Sequence, residues 1–351
     1  MKRKRRVFLF AGGSGGHIEP ALVLRTKLQE KDQNVLLYLT SNYLISDIKN
    51  VKKVIICKNK FKAILQFPYV FLYFLIIGLI KKADVFIGFG GHYSIPGILA
   101  GNILRAKTII YEPNLIWGRA NSWLSKKADS IFVIWPDIRE HFSTKIRKKI
   151  VVIKPLVKIE KSKYNIQNKS KVFSVLITGG SHGSFFLNKL TIDLIRYYNF
   201  KKKEIKITLI SGRKFYSIVK DRMNELLKHK RLDMKLFDYR MDINKLYQET
   251  DLLISRSGAQ TVLESIYYNL PAVFIPYPYA YQHQLENAKY LYRIGACYLL
   301  EQEFLDYRIV GALIDCLNEN PHLLVQVKSR LETVKKQLLT AKDAESIIVN
   351  E

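Results

Sequence analysis

The sequence predicts an α/β protein made of two doubly wound domains, each built on a parallel sheet, that face a central cleft. Three observations lead to this prediction. The chain has 351 residues, more than one ordinary core requires. Short apolar, β-rich runs alternate with helical patterns along the chain. A glycine-rich loop follows an apolar run twice, at Gly12–Gly16 and at Gly179–Gly183, which indicates a weak repeat of one α/β unit.

The predicted strands form two groups separated by a polar stretch. Residues 1–160 are the expected first domain and residues 161–324 the second, with the linker in Lys158–Lys171. A helix over about 325–351 is a candidate to pack back on the first domain. The predicted strands are Val7–Ala11, Val35–Thr40, Val85–Phe89, Thr108–Tyr111, Ile131–Ile134, Val172–Thr178, Ile205–Ser211, Leu252–Ser255 and Ala272–Ile275.

Charge and cysteine usage limit the class of partner only broadly. The chain has 57 Lys and Arg against 30 Asp and Glu, a net charge of +27. That charge attracts nucleic acid, an anionic membrane or a phosphorylated substrate, although a lysine-rich proteome would explain it equally well. The three cysteines lack metal-ligand or redox spacing, which suits a reducing compartment. The basic start is not typical of a signal peptide, because the apolar run after it is too short.

One segment, Ile64–Ile80, is apolar and aromatic almost throughout, and its 17 residues are at the lower limit for a membrane span. A span would put the strand at Val85 on the far side of the membrane from the strand at Val7. We therefore predict a helix that packs on the sheet and turns its surplus apolar face to a bilayer surface. A buried core helix is the alternative. Lysines that could meet anionic headgroups flank the segment at Lys58, Lys60, Lys62, Lys81 and Lys82.

The first half contains two glycine-rich loops that precede predicted helices. In Gly12–Gly16, glycines at a helix start would let the backbone approach an anionic ligand. His17 follows and could remove a proton from an acceptor hydroxyl near neutral pH, although a packing or capping histidine is the alternative. Gly88–Gly97 predicts a second backbone cradle. Asn114, after the next strand, is either a turn residue or a cleft residue.

The second half contains a sharper pattern at Ser255–Glu264. Ser257 is the predicted N-cap, so the amides of residues 259–261 would point at a diphosphate from a helix start. Glu264 could accept hydrogen bonds from two ribose hydroxyls, or it could simply be a solvated or helix-pairing glutamate. Gln284, in a later proline-rich turn, has an amide suited to sugar hydroxyls.

Together these segments resemble the MurG family of glycosyltransferases, which has the GT-B fold. The resemblance runs from Val7 to about Ala288. Its motifs, in family order, are G-G-S-G-G-H-x-x-P at Gly12–Pro20, G-F-G-G-x-x-S-x-P-G at Gly88–Gly97, E-x-N at Glu112–Asn114, G-G-S-x-G at Gly179–Gly183, S-G-A-x-T-x-x-E at Ser257–Glu264 and H-Q-x-x-N-A at His283–Ala288. Six motifs in register are far more specific than any one of them.

The resemblance implies an inverting enzyme of peptidoglycan synthesis. The muramyl 4-hydroxyl of undecaprenyl-pyrophosphoryl-N-acetylmuramyl-pentapeptide would attack UDP-N-acetylglucosamine as UDP leaves, with His17 as general base or transition-state stabiliser. Implied substrate-binding residues are Ser14, Gly15, Gly16, Asn114, Lys158, Ser181, Arg240, Ala259, Gln260, Thr261, Val262, Leu263, Glu264 and Gln284. Implied acceptor-side residues are Gly91, His92 and Ser94. No metal or cofactor is implied, because amides and helix dipoles would neutralise the departing diphosphate.

The resemblance also implies a peripheral enzyme on the cytoplasmic face of the bacterial inner (plasma) membrane, without a nucleic-acid partner. Three departures from the family pattern concern its finer contacts. His92 stands where many members have tyrosine, and Tyr111–Asn114 reads Tyr-Glu-Pro-Asn where His-Glu-Gln-Asn is common. Lys158 stands where a hinge arginine is expected, which keeps the charge but loses bidentate phosphate geometry.

Three other functions remain open at this point. The first is another GT-B lipid glycosyltransferase, such as a diacylglycerol galactosyltransferase. The second is a UDP-N-acetylglucosamine epimerase of GT-B architecture, which would act without a lipid. The third is a basic nucleic-acid or membrane-binding module with no enzymatic activity, which would not bind UDP.

Overall fold

The computed structural model describes residues 4–39, 51–54, 56–57, 59–158, 172–227, 232–240, 242–279 and 282–350. The chain divides into two compact units, the first comprising Met1–Lys158 and Gln337–Glu351 and the second Ile159–Lys336. Thr40, the predicted end of the second strand, lies outside the described residues. So does nearly all of the predicted linker, with the predicted boundary at residue 160.

Each unit contains one parallel sheet. The strands of the first are β1 (Arg6–Ala11), β2 (Asn34–Leu39), β3 (Val51–Lys53), β4 (Val85–Gly88), β5 (Lys107–Glu112), β6 (Ser130–Val133) and β7 (Ile150–Val152), in the order β3-β2-β1-β4-β5-β6-β7. The strands of the second are β8 (Ser174–Thr178), β9 (Lys206–Ile210), β10 (Asp233–Phe237), β11 (Leu252–Ser255), β12 (Ala272–Phe274) and β13 (Tyr298–Leu299), in the order β10-β9-β8-β11-β12-β13. The predicted α/β class with two parallel-sheet domains is confirmed.

Helices connect the strands on both sheets. They are α1 (Gly15–Glu30), α2 (Lys60–Ile80), α3 (Ile95–Ile103), α4 (Arg119–Leu124), α5 (Thr144–Arg147), α6 (Phe185–Lys201), α7 (Tyr216–Leu227), α8 (Ile243–Glu249), α9 (Ala259–Tyr267), α10 (His283–Arg293), α11 (Tyr307–Glu319), α12 (Pro321–Leu339) and α13 (Ala344–Asn350). Two short 3-10 helices cover His92–Ser94 and Pro136–His141.

The strands that the apolar pattern did not predict are β3, β7, β10 and β13, and each lies at the edge of its sheet. Edge strands have one unpaired side and less buried surface, so they need no continuous apolar run. In β3, for example, both lysines are exposed. The interior strands were all predicted, to within one or two residues at each end.

The core of the first unit is aromatic. Phe8 and Phe10 on β1 face Tyr38 on β2, Phe86 on β4 and Phe74 on α2, with ring centroids 4.8 to 5.8 Å apart. Apolar side chains buried on both faces of a parallel sheet are what its interior strands require. The burial fixes β1 and β4 as neighbours, and these two strands carry the first two glycine loops.

Helix α2 packs on this core through one narrow stripe. Its buried residues are Val70, Phe74 and Gly78, one per turn, and a β-carbon at Gly78 would lie 2.9 Å from Phe86 Cζ. Among the described residues, the segment Phe61–Ile80 is the one helix long and apolar enough to cross a membrane, with a mean hydropathy of 2.2 and 17% of it buried. The alternative of a buried core helix is therefore wrong, because most of this helix is exposed.

The end of the chain returns to the first unit. Ile153 forms a parallel bridge with Lys342, and the Lys154 amide donates to the Lys342 carbonyl at 2.9 Å. On α13, Glu345 lies 3.7 Å from the Lys27 amine of α1. Helix α13 thereby covers one face of α1, the helix that begins at the first glycine loop.

Candidate functional site

In the first unit, three loops meet at the carboxyl edge of neighbouring strands. β1, β4 and β5 are adjacent in the sheet, so the loops that follow them lie side by side, as ligand-binding loops of doubly wound sheets do. The first loop makes the tight turn into α1, with Gly13 at φ +88°. Ser14 is the N-cap of α1 in extended backbone, and Gly15 and Gly16 are the first helical residues.

His17 stands on the first turn of α1 and packs against the second loop. A β-carbon at Gly90 would lie 3.0 Å from His17 Cε1, and Gly90 has φ +92°, so both space and backbone conformation favour glycine there. The His17 Nδ1 atom is buried. Burial lowers the pKa of His17 below its ordinary value of 6.5, and the Glu112 carboxylate and the Phe89 backbone partly oppose this. The imidazole is therefore neutral at pH 7 and able to accept a proton.

Glu112, at the end of β5, organises the third loop. It is 2% exposed. Its Oε1 accepts hydrogen bonds from the Asn114 amide at 3.1 Å and from Asn114 Nδ2 at 2.8 Å. Its Oε2 accepts from the Gly118 amide and from Asn121 Nδ2, both at 3.0 Å. A buried carboxylate that accepts four hydrogen bonds fixes the position of Asn114 and places a negative charge near His17.

The three acceptor-side residues occupy different environments. His92 is exposed and its ring lies 3.9 Å, centroid to centroid, from that of the buried Tyr93. Gly91 is half-buried with φ +69°. Ser94 is fully buried, and its hydroxyl donates to the Gly91 carbonyl at 3.0 Å, so Ser94 supports the loop from behind.

In the second unit, the pattern Ser255–Glu264 crosses from β11 into α9. The predicted N-cap was wrong by one residue: Gly258 is the N-cap, and Ser257 turns inward to donate from its hydroxyl to the Gln284 carbonyl at 2.7 Å. Glycine has no side chain to cap the helix, so the amides of residues 259–261 keep their capacity to bind an anion. Gly258 has φ −61°, and a β-carbon there would meet no described atom within 4 Å.

Glu264 is held in place by two neighbours. Tyr247 is 3% exposed, and its hydroxyl donates to Glu264 Oε2 at 2.8 Å. Gln260 Nε2 donates to Glu264 Oε1 at 3.2 Å. Val262 and Leu263, which lie between Gln260 and Glu264 in the sequence, point into the core and are 0% and 1% exposed. Helical periodicity turns both side chains to the sheet, so any substrate contact at residues 262 and 263 would be made by their backbone, and their predicted role in substrate binding stays a prediction.

The remaining predicted residues lie at strand or loop ends. Gln284 is half-buried on the first turn of α10, and its Oε1 accepts from the Tyr277 amide at 2.9 Å, so its NH₂ group is the part that Tyr277 does not engage. Ser181 is half-buried in the turn after β8. Arg240, after β10, makes a two-pronged ion pair with Asp242 at 2.7 and 2.6 Å. Lys158, in the first unit, is exposed and electrostatically coupled to Glu19.

Sequence reasoning missed three residues of this arrangement as functional candidates. Glu112 was part of a motif, but its role as a four-bond acceptor depends on tertiary contacts. Tyr247 gave no signal, because a tyrosine in an amphipathic helix is ordinary. Arg256 stands between a strand and a glycine, which is visible in the sequence, but its burial at 7% exposure is not.

Comparison with known proteins identifies similar sequences and a similar fold. Residues 7–133 match the glycosyltransferase family 28 N-terminal domain, and residues 174–344 match the C-terminal domain of the same family. UDP-N-acetylglucosamine–N-acetylmuramyl-(pentapeptide) pyrophosphoryl-undecaprenol N-acetylglucosamine transferases are similar over most of their length. The protein of that name from Pelagibacter ubique is 29% identical over 93% of both chains, and the one from Wolbachia pipientis subsp. Culex pipiens is 30% identical over 90% of both.

The fold of this chain is also similar to that of a solved structure. The crystal structure of MurG from Acinetobacter baumannii has a TM-score of 0.73 and 25% sequence identity, covering 99% of this chain and 98% of that one. Sequence and fold therefore point to one group of enzymes. The chain belongs to the MurG family of glycosyltransferases.

Proposed function

We propose that this enzyme transfers N-acetylglucosamine from UDP-N-acetylglucosamine to the 4-hydroxyl of the muramyl sugar in undecaprenyl-pyrophosphoryl-N-acetylmuramyl-pentapeptide, with release of UDP. The observation that carries the proposal is the start of α9. Gly258 needs to be glycine neither for its backbone conformation nor for space among the described residues. Glycine is tolerated at N-cap positions in general, and at this helix start it also allows a ligand phosphate to approach the backbone closely.

The donor is assigned to the second unit. Amides of residues 259–261 bind the diphosphate, and Glu264, oriented by Tyr247, accepts hydrogen bonds from the ribose hydroxyls. Ser181, Arg240 and Gln284 are the further donor contacts implied by the family motifs. This division of labour places the charge of the leaving group against a helix dipole.

Proton removal is assigned to the first unit. The acceptor oxygen attacks the anomeric carbon, the bond from that carbon to the UDP oxygen breaks with inversion, and the hydroxyl proton passes to His17. The lowered pKa of His17 keeps its imidazole neutral and ready to accept that proton. Ser14, Gly15, Gly16 and Asn114 complete the donor-sugar contacts, Gly91 and His92 lie on the acceptor side, and Lys158 supplies positive charge.

The direct test is a transfer assay with radiolabelled UDP-N-acetylglucosamine and a short-chain lipid-linked muramyl-pentapeptide. Label is expected in the lipid phase only when the acceptor is present, and diacylglycerol as acceptor is expected to remain unlabelled. Label that stays in the aqueous phase as an epimerised nucleotide sugar, formed without acceptor, would support the epimerase instead. No binding of UDP in a calorimeter would remove both enzymatic functions.

We further propose that α2 holds the enzyme at the cytoplasmic surface of the inner membrane. In the chain, β1 precedes α2 and β4 follows it, and β1 and β4 pair in one sheet. If α2 crossed the bilayer, these two strands would lie on opposite sides of the membrane and could not pair. Its exposed apolar residues include Ile64 at 69%, Leu72 at 52% and Ile76 at 48%. Lys62, Lys81 and Lys82 are exposed at its ends, where anionic headgroups would meet them. Three free cysteines agree with a reducing compartment.

The combined variant Ile64→Ser, Leu72→Ser and Ile76→Ser is expected to weaken binding to phosphatidylglycerol vesicles more than tenfold, because it removes three side chains that contribute about 1.5 kcal/mol or more each when buried. Vesicle co-sedimentation measures this. The matched control changes three exposed apolar residues of the second unit, Phe200, Phe304 and Val325, to serine. Equal binding by the two triple variants would contradict a membrane role for α2.

A further inference from the structure

Arg256 is a buried positive charge whose hydrogen-bond partners are all neutral. It is 7% exposed. Its Nη1 and Nη2 atoms donate to four acceptors at 2.5 to 3.1 Å: the carbonyls of Ile275 and Pro276, Ser184 Oγ and Gln302 Oε1. Within the part of the chain that the structure describes, no carboxylate pairs with it. Its charge is therefore hydrogen-bonded but not neutralised.

Burial of this kind is costly, because a desolvated cation without an anion loses its hydration and gains no opposite charge. It lowers the pKa of Arg256 to about 10, so the guanidinium remains charged at pH 7. The four acceptors follow β8, β12 and β13, and Arg256 itself follows β11, so its side chain ties together the carboxyl ends of four neighbouring strands. The rings of Phe186 and Tyr277 lie 5.6 and 5.4 Å from the guanidinium carbon and attract the charge without neutralising it.

Two helix N-termini add positive potential near the same guanidinium. Ser184 is the N-cap of α6, and its Oγ accepts both from the Leu187 amide and from Arg256 Nη2. Helix α9 begins at Ala259, three residues after Arg256. Helix starts are positive, so the cation and the two dipoles repel one another in the absence of a ligand. An anion that binds here would relieve this repulsion.

We propose that Arg256 is a positioning residue whose positive charge acts through space on the diphosphate of the nucleotide sugar, strengthening its binding and its departure as UDP. It acts through its field because both of its Nη atoms are already committed to protein acceptors. The inference rests on the proposed function, since it requires a nucleoside diphosphate at the start of α9. It predicts an effect that depends on ligand charge, whereas a purely structural tie predicts equal loss for charged and uncharged ligands.

Calorimetric titration of uridine, UMP and UDP tests this in the full chain. Arg256→Gln is expected to weaken the binding of UDP about tenfold and that of uridine less than twofold, with UMP between them. The reason is that the electrostatic attraction lost with one nearby charge is proportional to the charge of the ligand. Arg256→Lys keeps the charge and is expected to retain most of the wild-type ratio of uridine to UDP dissociation constants. Arg308→Gln is the matched control, because Arg308 is exposed and paired with Asp306 at 2.8 Å.

The outcomes separate the inference from the function on which it rests. Failure of the wild-type chain to bind UDP would overturn the proposed function. UDP binding by the wild type with an unchanged ratio in Arg256→Gln would overturn only the role of the Arg256 charge. If Arg256→Gln does not fold, Arg256→Lys still tests the inference. A fall in its ratio of uridine to UDP dissociation constants to about one tenth of the wild-type value would refute the charge-based role.

Discussion

Replacement of His17 by alanine is expected to lower kcat by about two to four orders of magnitude, the usual contribution of a positioned general base. The affinity for UDP is expected to stay within twofold of wild type, because His17 acts on the acceptor proton and α9 binds the nucleotide. Steady-state transfer kinetics and UDP calorimetry measure the two quantities separately. His322→Ala, a change at an exposed histidine of the second unit, is the matched control. A comparable loss of turnover and UDP affinity in His17→Ala would count against the base.

The pH dependence of kcat/KM follows from the environment of His17. Its pKa is lowered from 6.5 by burial, so the unprotonated, active form persists below that value, and activity is expected to fall on the acid side of pH 6.5. Glu112 raises the pKa of His17, so Glu112→Gln should move the acid limb to still lower pH. The same change should also reduce kcat, because an amide NH₂ would replace a carboxylate oxygen that accepts from Gly118 and Asn121. An acid limb that moves upward in Glu112→Gln would refute the electrostatic coupling.

Replacement of Glu264 by alanine is expected to raise KM for UDP-N-acetylglucosamine about 10- to 100-fold with a smaller effect on kcat. The loss corresponds to hydrogen bonds to a charged group, worth about 1.5–3 kcal/mol each. Tyr247→Phe keeps the carboxylate and removes one of its donors, so its KM should rise only a fewfold. Initial rates at varied donor concentration measure both effects.

The control for Glu264 is Glu225→Ala, which removes a 61% exposed glutamate that pairs with Arg222 on the surface of α7. It is expected to leave donor KM unchanged. If Glu264→Ala and Glu225→Ala behave alike, Glu264 has no part in ribose recognition. If Tyr247→Phe is as impaired as Glu264→Ala, orientation of the carboxylate matters as much as its presence.

The interior strands and the glycine loops were predictable because their signals are local. A strand buried on both faces must be apolar along its length, as β1 and β4 are, and a loop that needs φ near +90° must place glycine there, as at Gly13 and Gly90. The order of such elements along the chain predicted two parallel sheets. The edge strands were not predicted because much of their surface is exposed, so they lack the continuous apolar run that marks an interior strand.

The sequence by itself determined the fold class, the family and the segments that carry His17, Asn114 and Glu264, since all of these depend on residue type and spacing. Only the tertiary structure decided what surrounds those residues. It brought Tyr247 to Glu264 and Ser184 to Arg256, and it turned Val262 into the core. Contacts between residues distant in sequence depend on how helices and strands pack, and burial of a charge or a hydroxyl is a property of that packing rather than of the residue itself.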